Sequence, residues 1–272
     1  MKKIIISIIL TLLLSVAVGS LSAAEKIRYH GSSTVVSVIS KSSVPFRKEH
    51  DVILDIKSKS SGTGIEMLLA GKCDIAGVGR PITQKLIDQG IVATKLFVDA
   101  YAVIVNNEVA VDRLTPSQLG GLLTGKTVSW AEFVSGKSHK VKLVTPPPLS
   151  AHFKNFQEIF GIGVLPKGSA IAAMTPYVID KVKQHPRSIG WLSYSTVYRH
   201  LGEVKIVAIE NNGKSTILDK DTVLSGEYPY TSEQYLYTKG EPTGNVKELI
   251  AYLQSEAGQE IIRSSGFFLP GT

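Results

Sequence analysis

Lys26-Ile27-Arg28-Tyr29-His30-Gly31-Ser32-Ser33-Thr34-Val35 is the stretch on which the fold turns. Ile27 and Tyr29 alternate with polar neighbours, which predicts a short strand ending at Gly31. Beyond three hydroxyl residues, Val35, Val38, Ile39 and Phe46 recur at helical spacing and predict a helix over 34–50. The same order then repeats. Val52 to Ser58 alternates as a half-buried strand, Ser60-Ser61-Gly62-Thr63-Gly64 forms a second glycine and hydroxyl turn, and Ile65 to Ala70 makes a second short helix. Gly71-Lys72 leads into a buried strand at Cys73 to Val78. Strands alternating with helices in this way predict an α/β architecture.

Further along, Phe97 to Asn107 reads as a strand long enough to cross from one lobe into another. Thr115-Pro116 starts a helix, with a cap and a proline at the first helical position. Strands are predicted at Lys140 to Val144, Ile189 to Ser193 and Val204 to Ile209, a helix at Ala151 to Phe160, and one closing amphipathic helix at Asn245 to Ser264. The predicted fold is therefore two α/β lobes joined by two crossings, near residues 99–105 and 191–197. Residues 25–101 and 196–272 would make a discontinuous first lobe, and residues 102–195 the second. Ligands of such folds bind between the lobes, where loops at strand carboxyl ends meet helix N-termini.

The chain has 272 residues, 43% hydrophobic and 19% charged, enough apolar surface for one or two cores. Met1-Lys2-Lys3 precedes an apolar run from Ile4 to Val18, and Ser22-Ala23-Ala24 closes it with small residues, so residues 1–24 read as a secretory signal peptide. An uncleaved anchor is the alternative, although about 15 apolar residues are short for a bilayer span. No cysteine stands near the cleavage point to accept a lipid, so the mature protein is expected to be periplasmic or secreted. Losing Lys2 and Lys3 lowers the formal net charge of +7 by two, and the remaining excess is spread along the chain, which argues against a nucleic-acid partner. The lone Cys73 excludes a disulfide framework and reads as a small buried filler.

Gly31-Ser32-Ser33-Thr34 and Ser60-Ser61-Gly62-Thr63-Gly64 each combine glycine with hydroxyls between a strand and a helix, the chemistry of an uncharged anion cradle. Simple N-capping by serine or threonine is the favoured reading of either turn taken alone, and two such turns in one lobe bring the readings closer to even. Arg80, at the end of a buried strand, offers a bidentate donor to the same anion or serves as an ordinary surface cation. Asp74 and Asp99 read as structural acceptors, the second at the hinge. The six histidines form no ligand pair at helical spacing, and the sequence holds no nucleophile elbow, Walker loop or dinucleotide fingerprint, so no catalytic residue, metal or cofactor is expected.

Eight stretches, in order, resemble the phosphate-binding (PstS-like) substrate-binding proteins of ABC transporters. They are Ile27 to Val35, Ser60 to Ile65, Gly71 to Ala76 with Arg80-Pro81, Val98 to Asn106, Leu114 to Leu119 with Thr124-Gly125 and Trp130, Ile189 to Leu192, Gly226 to Pro229, and Glu256 to Ile262 followed by Gly266 to Pro270. The resemblance implies the type II periplasmic-binding-protein fold with a two-strand hinge. It further implies a phosphate or related small oxyanion ligand, a membrane permease of an ABC transporter as partner, and a monomer. The ligand set it suggests is Ser32, Ser33, Thr34, Ser61, Gly62, Thr63, Gly64, Arg80 and Ser150.

The match is uneven. Gly79 stands where the family has Asp or Ser before the arginine, Thr145 stands where it has Arg, and Leu149-Ser150-Ala151 replaces its Ser-Gly-Thr cradle. Pro146-Pro147-Pro148 also lack N–H groups. Each hydrogen bond lost to a charged ligand costs about 1.5–3 kcal/mol. Two functions thus stay open at this level: a solute-binding protein for ABC-type uptake, or a PstS-like fold that has lost phosphate affinity and acts as an interaction, sensory or envelope module.

Overall fold

Three parallel strands form one flank of the main sheet: β1 (Glu25–Ser32), β2 (Val52–Lys59) and β3 (Ile75–Val78), in the order β2-β1-β3. The computed structural model describes residues 24–134, 139–148 and 150–270, so the expected leader, apart from Ala24, and Leu149 lie outside the described residues. Helix α1 (Ser33–His50) follows β1 because Val35, Val38, Ile39, Ser42 and Phe46 fall on one buried face. It stops at Asp51, whose left-handed backbone (φ 51°) returns its N–H to Arg47 O. Helix α2 (Ser61–Leu69) follows β2. Both hydroxyl turns are more ordered than the sequence suggests: β1 runs through Gly31 and Ser32, and Ser61–Gly64 is already the first turn of α2.

The chain continues through α3 (Gln84–Asp88), β4 (Ile91–Val105), β5 (Arg113–Leu114) and α4 (Pro116–Thr124), which has the predicted cap at Thr115 and proline at its start, the cap being completed into a capping box by Gln118. Then come β6 (Lys142–Thr145), α5 (Ala151–Phe160), β7 (Ala170–Ile171), α6 (Tyr177–Gln184), β8 (Ser188–Ser193) and α7 (Tyr194–Val197). The last part comprises β9 (Lys205–Ile206), β10 (Ala208–Asn211), β11 (Lys214–Thr216), α8 (Lys220–Leu224), β12 (Thr231–Lys239), α9 (Gly244–Gln254) and α10 (Glu256–Arg263). The predicted strand at 204–209 is thus two short ones. The predicted closing helix is also two, because Ser255 adopts an extended conformation and caps α10 with its own hydroxyl.

β4 joins the two halves. Its residues 91–100 pair with β12, and its residues 101–105 pair with β8. The first half has the order β2-β1-β3-β12-β4, with α1, α9 and α10 over one face and α2 over the other. The second half continues β4-β8-β6-β7, again covered on both faces, by cores around Leu119, Trp130 and Trp191 and around Val144, Val178 and Leu192. Covering both faces is what parallel strands of this apolarity require.

The expected lobe composition changes in one respect. Residues 204–230 do not return to the first half. β9 pairs with β4 at Ile104, β10 pairs with β5, and Val207, Ile209, Val223 and Tyr228 share a core with Trp130 and Trp191. The second passage between halves is therefore at Tyr230-Thr231, beside the first, where Tyr101 N–H donates to Tyr230 O at 2.8 Å. The predicted crossing near 191–197 is only a visit: Tyr198 Oη donates to Ser264 O, and the chain then re-enters the second half at β9.

Candidate functional site

The carboxyl ends of β1, β2 and β3 meet because glycine lets them. Gly31 (φ +135°) lies opposite Gly77, and a Cβ there would sit 2.3 Å from Gly77 O. The buried Tyr29 anchors the turn from below, its hydroxyl donating to Ser32 O at 3.1 Å. α1 then begins with no side-chain cap from Ser32 and no acidic residue in its first turn. Its first-turn N–H groups and the positive end of an 18-residue dipole therefore face outward without an acceptor among the described residues. The second turn behaves differently: Ser60 Oγ accepts Thr63 N–H at 3.1 Å and caps α2. Ser61 Oγ accepts Gly79 N–H at 3.1 Å, which leaves its own proton to donate elsewhere.

These groups border one cleft of about 580 Å³. Of the nine sequence-predicted residues, the structure brings Ser32, Ser33, Thr34, Ser61, Gly62 and Arg80 to its wall. Thr63 and Gly64 are set back. The Thr63 hydroxyl meets Ser60 Oγ at 3.0 Å, and Gly64 is packed so closely on β1 that a Cβ would lie 2.9 Å from Gly31 Cα. Ser150 is not on the wall either. It caps α5, its Oγ accepting Phe153 N–H at 3.1 Å, while its own N–H donates to Pro147 O. Thr145, at the family's arginine position, is fully buried, and its hydroxyl has no hydrogen-bond partner among the described residues.

The second half instead lines the cleft with Tyr101 from β4 and with Lys154, Glu158 and Ile159 from α5. Sequence analysis missed these, along with Lys59 and the β12 residues Thr231 to Gln234. The spacing of Lys154 and Glu158 shows that they share a helix face, but not that this face meets the cleft. Glu233 is committed to Lys95 and Tyr235, and Lys95 foremost holds its carboxyl below the usual range. Lys59, Arg80 and Lys154 thus outnumber the remaining acid, Glu158, a balance that suits an anion.

Three groups outside the cleft serve the scaffold. Asp74 accepts the Arg28 backbone N–H at 2.7 Å and its guanidinium at 2.6 Å, and that arginine lowers its pKa. Cys73 is buried, and burial pushes its thiol up to about 11, so it is inert filler. Asp99 sits at the junction of the halves, 1% exposed, accepting Ser193 Oγ at 2.7 Å and Ala100 N–H at 2.9 Å. Burial raises its carboxyl to about 7 against the opposing effect of those two bonds.

A family profile described as a PBP superfamily domain matches residues 17–257. The phosphate-binding protein PstS of Bacillus subtilis is 27% identical over 259 residues, covering 94% of this chain and 84% of its own length. Among solved structures, an ABC-type phosphate transport receptor from Vibrio cholerae superposes with a TM-score of 0.78 at 21% identity, covering 90% of this chain and all of that one. PstS from Borrelia burgdorferi superposes with a TM-score of 0.74 at 21% identity, over 91% of this chain and all of that one. These structural likenesses establish the fold, a two-lobed α/β binding-protein architecture of type II.

Proposed function

The chain belongs to the PBP superfamily, and on that premise we propose that it is an extracytoplasmic solute-binding protein that captures phosphate or a closely related tetrahedral oxyanion in its cleft and hands it to an ABC-type permease. One observation carries this reading: the uncapped N-terminus of α1 opens on the same cleft as the Ser61 hydroxyl and Arg80. Unsatisfied amides, a helix dipole, neutral hydroxyls and one guanidinium are complementary to a small oxyanion. The names of the relatives agree with that chemistry. The basic start and apolar run at 1–24 support export, and no helix among the described residues is long and apolar enough to cross a membrane. All nine candidate residues are kept in this reading, in unequal roles: Ser32, Ser33, Thr34, Ser61, Gly62 and Arg80, which border the cleft, would contact the anion directly, whereas Thr63, Gly64 and Ser150 would shape and cap the turns.

A ligand-free interaction module is the weaker reading, because the first-half cradle keeps its donors pointed into an open cleft. Isothermal titration of the purified protein with inorganic phosphate tests the proposal. Saturable one-to-one binding is expected. Its absence at millimolar phosphate overturns the transport reading and moves the search to protein partners.

A further inference from the structure

Gly79 and Gln234 share one space. β12 shifts register between Gln234 and Tyr235, an irregularity of the kind that re-aims side chains. Gln234 is 2% exposed and borders the cleft. A Cβ on Gly79 would lie 3.2 Å from Gln234 Nε2 and 3.3 Å from Oε1, so β12 fills the room that a side chain at 79 would enter.

The direction of the amide follows from hydrogen-bond bookkeeping. Gly79 O can only accept, so the Ser232 hydroxyl donates to it at 3.1 Å. Ser232 Oγ then accepts from Gln234 Nε2 at 2.8 Å. Oε1 is left facing Ser32, whose Oγ stands 3.4 Å away, a long contact that leaves it with acceptor capacity. The same cleft is bordered by donors: the first turn of α1, the Ser61 hydroxyl and Arg80.

We infer that Gln234 determines which tetrahedral oxyanions this cleft accepts, an inference that rests on the functional reading above. An anion carrying a proton, such as hydrogen phosphate, donates that proton to Oε1. A fully ionised one, such as sulfate, meets Oε1 with a lone pair and loses one hydrogen bond. Because the carboxamide is uncharged, sulfate meets no charge–charge repulsion there. The cleft therefore favours phosphate moderately and still admits sulfate.

The test is titration of the parent protein, Gln234→Glu and Gln234→Met with phosphate and with sulfate at one pH, with thermal unfolding to confirm that each variant is folded. The parent is expected to prefer phosphate about tenfold, the worth of one hydrogen bond to a charged group. Gln234→Met should bring the two affinities to within about twofold of each other by weakening phosphate. Gln234→Glu should widen the preference by about a further tenfold by excluding sulfate. A preference unchanged in folded Gln234→Met and Gln234→Glu, with phosphate still bound, overturns the role of Gln234 and leaves the functional reading standing. If Gln234→Glu does not fold, Gln234→Met decides alone. A parent protein that binds neither anion overturns the functional reading, and this inference with it.

Discussion

Ser32 and Ser150 hold the same position, the residue before a helix at the end of a strand-to-helix turn, and they do opposite things. Ser150 folds its hydroxyl back onto Phe153 N–H and closes the start of α5, whereas Ser32 leaves the start of α1 open toward the cleft. The first half also brings three strand ends together through Gly31 and Gly77, while the second half ends β6 on a buried Thr145 and Pro146. A helix N-terminus becomes a binding element only when its amides are left unsatisfied and faced to solvent, so residue type alone does not distinguish a cradle from a cap.

The largest effect should come from the glycine contact itself. Gly31→Ala would force a Cβ against Gly77 O at a left-handed φ and should cost about 3 kcal/mol or more in chemical denaturation. Gly163→Ala, in the second half with open space around it, should change stability by under about 0.5 kcal/mol. Equal losses at the two sites would break the contrast between the halves.

Next is the junction. Asp99 has a folded pKa raised to about 7, above its unfolded value, so the native state holds the proton more tightly and stability falls as pH rises between the two values. The destabilisation is complete above about pH 7 and absent below the ordinary carboxyl range of about 4. Asp99→Asn should flatten the pH dependence of melting over that window and raise stability at pH 8 by on the order of 2–4 kcal/mol. A variant with the parent's slope would show that Asp99 is charged and compensated by groups other than Ser193.

The direct comparison is between two serines. Ser61→Ala should weaken phosphate binding about tenfold, as one donor to a charged ligand is removed. Ser150→Ala should leave affinity within about twofold and lower stability by about 1 kcal/mol, the worth of a cap. The reverse outcome would place the anion on the second half. The smallest change is Thr145→Val, which replaces a buried unpartnered hydroxyl with a methyl of similar shape and should raise stability by under about 1 kcal/mol without affecting affinity.

Much of this was legible in order and type: the strand, hydroxyl stretch and helix of residues 25–50, the helix cap at Thr115, and α5 to its last residue. The misses share a cause. Residues 204–230 include the short strands β9 and β10, whose allegiance is set by pairing with β4 and β5, and nothing in their own alternation names those partners. The single closing helix failed at Ser255, where a hydroxyl competes for backbone N–H groups inside an otherwise continuous apolar period. The capping role of Ser150 was not legible because cap and cradle use the same residues. Lys154 and Glu158 were invisible because helical spacing reveals a face but not what it meets.

The sequence by itself determined the two-lobed α/β class, the glycine and hydroxyl stretches at Ser33 and Ser61, and the filler role of Cys73, since each rests on residues close along the chain or on local periodicity. Only the tertiary structure decided that the halves pass through β4 and β12 side by side. It alone also decided that Ser32 is an open start and Ser150 a closed one, and that Gln234 fills the space beside Gly79. Ser232 and Gly79 are 153 residues apart, and contacts of that range come from the packing of whole sheets. A linear pattern carries the period of each strand but not the identity of its neighbour.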